Sequence, residues 1–156
     1  MTRICVQAVV GHPTAATGHL LQDYMDERVR GDGSVALPLR MRFRAGRDDL
    51  ALAHDVIVRF RKGRDAENLN DTFFVEWQPS GEGPYPTFSG TMNVYAEPDP
   101  RQSRLEIDGT YDSPGGAIGR IFDALIGRRM ARASLADLVE RIAADLTPVS
   151  SSATRR

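Results

Sequence analysis

The sequence predicts an α+β fold, one antiparallel sheet of about six strands covered by a long C-terminal helix. Three observations lead there. Between residues 34 and 111, apolar and polar side chains alternate with period two in one run after another, the pattern of strands that bury one face. The breaks between these runs have turn composition and meander spacing. From Ala117 to about Leu146 the period becomes helical and stops at Pro148; ~30 helical residues reach about 45 Å.

The elements follow in order. "RICVQAVV" (3–10) reads as a strand closed by Gly11 and Pro13, with Ile4, Val6 and Ala8 inward and Cys5 outward. Thr14 then caps a helix to about Arg30, its stripe formed by Leu20, Leu21, Tyr24 and Met25, and "GDG" (31–33) ends it. "LRMRFR" (39–44) sets Leu39, Met41 and Phe43 against three arginines, and "HDVIVRFRK" (54–62) sets Val56, Val58 and Phe60 against Ile57, Arg59 and Arg61. "DTFFVEW" (71–77), "TFSGTMNVYAE" (87–97) and "RLEIDGTY" (104–111) complete the sheet. The breaks fall at 45–49, 63–70 and 78–86. In the last helix one stripe is Ile118, Ile121, Phe122 and Leu125, and a second, displaced around the axis, is Leu135, Leu138, Val139, Ile142 and Leu146. That displacement predicts a bend or a change of packing partner near Gly127.

Bulk properties exclude several classes. A chain of 156 residues fits one domain, here 1–147, with 148–156 expected as a disordered polar tail. A net charge of −1 gives no reason to expect nucleic acid. The single cysteine excludes an intrachain disulfide, and no Cys/His spacing resembles a metal site. No apolar run is long enough to span a bilayer, and the N-terminal run is too short and mixed for a signal peptide. A soluble cytoplasmic protein without cofactor or metal is expected, with a homodimer left open.

"YDSPGGAIGRIFDALIGRR" (111–129) resembles a phosphate loop at first sight, because glycines cluster where a strand gives way to a helix. Gly119 is followed by Arg120-Ile121 rather than by Lys-Ser/Thr, and the first glycine of a dinucleotide fingerprint would fall on Pro114. No further strand follows the helix. Ser113 as N-cap and Pro114 at the first helical position explain the segment as a strand-to-helix hinge.

Residues 88–143 carry a resemblance. A Phe-x-Gly strand, a strand ending in Gly-x-Tyr, a Pro–Gly turn and a long helix with Gly-Arg and Asp occur at Phe88, Gly90, Gly109, Tyr111, Pro114, Gly116, Gly119, Arg120, Asp123, Gly127, Arg128 and Ala131. This pattern resembles the C-terminal half of bacterial proteins of the START-like (SRPBCC, or helix-grip) superfamily. Two departures are a single helix after the first strand and "YDSPGG" in place of Tyr-x-Pro-Pro-Leu-Gly. The resemblance implies a curved sheet of about 6–7 strands wrapped around the C-terminal helix. It also implies a cavity between them for a small hydrophobic, lipid- or polyketide-like ligand. It transfers no catalytic residue.

On that basis the ligand-binding candidates are Met41, Phe43, Val58, Phe60, Phe73, Val75, Trp77, Met92, Val94, Ile107, Tyr111, Ile118 and Phe122. From the residues alone the same face, with Leu39, Val56 and Leu105, is a simple core. A cyclase- or dehydratase-like enzyme is the alternative, and it needs an acid or base inside, whereas the ionisable strand residues are expected to face outward. The arginines Arg40, Arg42, Arg44, Arg59, Arg61 and Arg64 leave a third option, a protein- or polyanion-binding face. Against it, they fit a solvated sheet face paired with Glu76, Glu106 or Asp108. His12, His19 and His54 are scattered and have no arranged partner.

Overall fold

The structure, a computed structural model, describes residues 2–28, 34–45, 48–64, 71–81, 87–112 and 124–147. Strand β1 (Thr2–Val10) leads into helix α1 (Thr14–Arg28), then β2 (Ser34–Ala45), β3 (Asp48–Arg64), β4 (Asp71–Pro79), β5 (Thr87–Ala96), β6 (Ser103–Asp112) and helix α2 (Ala124–Leu146). The six strands form one sheet in the order β1-β6-β5-β4-β3-β2. Every neighbouring pair is antiparallel. No described helix is long and apolar enough to cross a membrane.

Each ladder keeps one constant register from end to end. Since a slip of one residue would turn a whole strand over, this register fixes the face of every side chain. One row across the buried face runs Val58, Trp77, Phe88, Tyr111, and another runs Phe73, Met92, Ile107, Val6. On the opposite face one row runs Arg59, Glu76, Ser89, Thr110.

The strands outrun the sequence-based bounds. β2 begins at Ser34 and includes Pro38, which an edge strand accommodates because one side of it has no ladder to break. β3 starts at Asp48, so "LALA" (50–53), which the sequence leaves unassigned, is strand, and the expected break at 45–49 narrows to 46–47. Between β5 and β6, Asp99 makes the turn. Its carbonyl accepts from the Gln102 N–H (3.0 Å) and its carboxylate from the Arg101 N–H (2.9 Å), with Pro100 at the position that suits its fixed φ.

Helix α1 begins at Thr14 itself, one residue earlier than a cap at Thr14 implies, because the Pro13 carbonyl accepts the Thr17 N–H at 2.9 Å. It buries Thr17, Leu21, Tyr24 and Met25, a one-sided stripe at helical spacing. The Thr17 and Ser103 hydroxyls, both fully buried, share a hydrogen bond of 2.6 Å that ties α1 to the start of β6. The second α2 stripe is buried as expected: Leu135, Leu138, Val139, Ile142 and Leu146. The helix runs through Gly127 as one element. Residues 113–123, including the Ser113–Pro114 hinge, Gly115, Gly116 and Gly119, lie outside the described residues, as do 29–33 and the tail 148–156.

α2 packs mainly against β1, β6 and β2, which include the two edges of the sheet. Laid flat, those edges stand about 24 Å apart at ~4.8 Å per strand, whereas a helix is only ~10–12 Å wide. A helix on a flat sheet would meet the middle strands first. The edges reach α2 together because the sheet curls around it.

At the centre of the concave face Gly90 pairs directly with Gly109. A Cβ on Gly90 would lie 2.4 Å from the Asp108 carbonyl oxygen, and one on Gly109 would lie 2.4 Å from that of Ser89. Both would also meet the Phe88 ring at 2.6 Å. The paired glycines thus make the bed on which that ring lies. Either Gly90→Ala or Gly109→Ala should lower the unfolding free energy by about 1–3 kcal/mol. Gly18, on α1, has nothing within 4 Å of its added Cβ, so Gly18→Ala should raise it by about 0.4–1 kcal/mol. Urea denaturation of the three variants checks both signs.

Candidate functional site

The concave side brings most of the predicted set together. Val58, Phe60, Phe73, Val75, Trp77, Met92, Val94, Ile107 and Tyr111 lie on one face of β3–β6, each between 0% and 7% exposed. Alternation and register carry them there. Met41 and Phe43 lie in β2, but their side chains fall outside the described residues, as do Ile118 and Phe122 altogether. Phe88, absent from the predicted set, is 3% exposed and stacks on Trp77 with ring centroids 4.8 Å apart. Its period-two relation to Gly90, Met92 and Val94 was the available signal.

The wall is almost purely apolar. Besides the Ser103 hydroxyl that Thr17 engages, polar atoms within the wall are the Trp77 indole N–H and the Tyr111 hydroxyl, on two rings that combine large apolar area with one donor each. Among the strand residues whose side chains are described, one ionisable group departs from the outward expectation, and the register also sets the position of Arg64, expected outward, on the same face. Lys62 continues the inward series Val56, Val58, Phe60 and faces Phe73 across the ladder, yet it is exposed. It stands at the rim.

The convex face is polar and charged. Arg3 donates two hydrogen bonds to the Asp108 carboxylate, one of them 3.0 Å from Nε to Oδ1. Arg61 approaches Glu76 at 3.8 Å and lies 5.6 Å from the exposed Phe74 ring. Arg104 reaches Glu97 at 3.1 Å and Glu106 at 3.8 Å. These are the cross-strand and same-strand pairs of a solvated face. Cys5 is exposed on this side; partial burial, then Glu106 and Asp108, push its thiol above the ordinary value, which disfavours the nucleophilic thiolate. The side chains of Arg40, Arg42, Arg44 and Arg64 are outside the described residues.

The helices are joined at their C-terminal ends. The Arg28 guanidinium lies 4.0 Å over the Tyr24 ring and donates to Asp145 at 3.3 Å. Burial pushes the Tyr24 phenol up. Of the histidines, His19 is exposed, and His12 Nε2 is buried without a hydrogen-bond partner among the described residues. The described residues hold no group of three metal-binding side chains. A groove of about 420 Å³ runs between β1 and the end of α2, lined by Gln7, Ala8, Val9, Glu140, Ala143, Ala144 and Thr147. A recess of about 390 Å³ opens at the ends of β4, β5 and β6, where Glu76, Gln78, Ser89 and Asp112 meet Trp77 and Phe88.

Comparison with solved structures decides the architecture. A conserved protein from Geobacillus kaustophilus aligns over 93% of this chain and 95% of its own, with TM-score 0.54 and 10% identity. The Zhui aromatase/cyclase from Streptomyces sp. R1128 aligns over 93% of both chains, with TM-score 0.52 and 11% identity. The chain has the START-like helix-grip fold. A START superfamily protein from Mycobacterium smegmatis also aligns over 93% of the chain, with TM-score 0.44 and 16% identity. At these identities the START-like fold is what is shared, and substrate and activity do not follow from it. No protein-family model matches the sequence, and no curated protein does.

One pH dependence follows from the convex face of this START-like sheet. The Arg3 hydrogen bonds hold the Asp108 carboxyl below the usual carboxylate range. A folded-state value below the unfolded one stabilises the fold above the ordinary Asp value of about 3.9, and that contribution disappears as pH falls through the folded value. Asp108→Asn should therefore flatten the acid limb of stability below about pH 4 while changing neutral stability little, because the pair is exposed. Urea midpoints measured against pH for both proteins check this.

Proposed function

We propose that the protein binds a small apolar molecule between the concave wall and α2. The carrying observation is the placement of α2. It meets the edge strands and β6, so the middle strands present a continuous apolar surface beneath it. Ligand sites are concave and mostly apolar, with a few polar groups that set orientation. Trp77 and Tyr111 supply such groups here.

The wall residues are 0–7% exposed, so a ligand reaches them by displacing what covers them. Helix α1 is the natural cover to move. It packs on β5, β6 and α2, and one of its ties, Arg28 to Asp145, is solvent-exposed and worth little.

Binding is favoured over a cyclase-like activity. A general acid or base must stand within hydrogen-bond reach of the reacting group, and among the strand residues of this face whose side chains are described the candidates are the Tyr111 hydroxyl within the wall and the Lys62 ammonium at its rim.

Trp77 is the only tryptophan and is 1% exposed, which makes it a built-in reporter. Titration with an apolar ligand, 1-aminoanthracene for instance, should quench Trp77 emission by energy transfer in a saturable way, and native mass spectrometry should find the complex at one to one. Unsaturable, weak quenching with no complex would rule the site out.

A further inference from the structure

We propose that Lys62 selects an anionic head group, so that the site takes amphipathic carboxylic acids, with the apolar body on the wall and the carboxylate at the Lys62 ammonium. This rests on the apolar site proposed above and adds the ligand's class and orientation.

The register places Lys62 at the end of one row of that wall, followed across the sheet by Phe73, Met92, Ile107 and Val6. Those four side chains are apolar and at most 7% exposed; Lys62 is exposed. A lysine in such a place lays its methylene stem along apolar neighbours and keeps its ammonium in water. Among the strand residues of the concave face whose side chains the structure describes, it is the only charged one, and it is the only lysine among 20 basic residues in the chain.

That arrangement dictates a ligand's polarity. An ionised carboxylate placed deep in the wall would lose its hydration with nothing to replace it. At the rim it stays partly hydrated and gains a charge-assisted hydrogen bond. Lys62 already interacts within the protein, but an ammonium has three N–H donors, so a second acceptor can be served. Four residues along the strands, about 14 Å away at ~3.4 Å per residue, lies the row of Trp77 and Tyr111. An acid held by its head at Lys62 directs its tail toward those rings.

A rim lysine that merely solvates the edge of the sheet would not distinguish an acid from its ester. The test uses cis-parinaric acid and its methyl ester, which share one apolar body, followed by polyene fluorescence and by energy transfer from Trp77. The acid should bind the wild-type protein about 3- to 10-fold more tightly than the ester, and added salt should narrow the gap. Lys62→Met should abolish the preference without weakening the ester, and Lys62→Arg should keep it. Arg61→Met changes the adjacent residue on the opposite face and should leave the preference intact. Equal wild-type affinity for acid and ester, or loss of preference in Arg61→Met as large as in Lys62→Met, overturns the role of Lys62 while the apolar site stands. Binding of neither probe overturns both. Thermal melts of the variants confirm folding, and the wild-type comparison and its salt dependence need no variant at all.

Discussion

One long helix has to close a sheet of six strands, and everything else in the molecule follows from how it does so. α2 is too narrow to cover a flat sheet of this width, so the sheet curls until both edges meet the same helix. Curling crowds the side chains on the concave face and spreads those on the convex face. Near the centre of the ladder Gly90 and Gly109 face one another with the Phe88 ring across them. On the convex side, long side chains have room to reach diagonally, as Arg3 does to Asp108 and Arg61 to Glu76. The same curvature decides both the tight interior and the ion-paired exterior.

Most of this architecture was legible because its strongest signal is local. Period-two alternation needs no knowledge of partners, and in a sheet without register shifts each inward assignment made from the sequence is preserved by the ladders. Strand ends were less legible. Pro38 looks like a breaker until β2 is known to be an edge, and the alanines of "LALA" have low strand propensity although β3 carries them. The two-residue step from β2 to β3 was read as a wider break because Gly46 and the acidic residues after it have turn composition.

The site was harder, for two different reasons. Phe88 and Lys62 were within reach of the alternation rule, but a Ser-Gly neighbourhood hid one and a positive charge argued against placing the other inward. The packing reason for Gly90 and Gly109 was out of reach, since it exists only once β5 and β6 are side by side. The resemblance marked both glycines without explaining them. The glycines that first drew attention, Gly115, Gly116 and Gly119, lie outside the described residues, and the described site is built on the strands.

A wall that is already covered sets terms on any ligand. If the state competent to bind is a minor one, its population multiplies the intrinsic affinity directly, so a weak cover is an advantage. The structure distributes its ties accordingly. The Thr17–Ser103 hydrogen bond is buried at 2.6 Å and anchors the start of α1, while the end of the helix is held to α2 by the exposed Arg28–Asp145 pair, with Arg28 lying over Tyr24 of its own helix. Breaking the buried bond would take the partner from the buried Ser103 hydroxyl, while Thr17 keeps the His12 carbonyl, whereas breaking the exposed pair returns both charges to water. Of these two polar ties the exposed one is the cheaper to break, but Leu21, Tyr24 and Met25 in the same half of α1 are buried, and their packing is the larger part of what holds the helix down. On the binding proposed above, a ligand would have to repay that lost packing with its own apolar surface, at roughly 25 cal/mol per Å² buried.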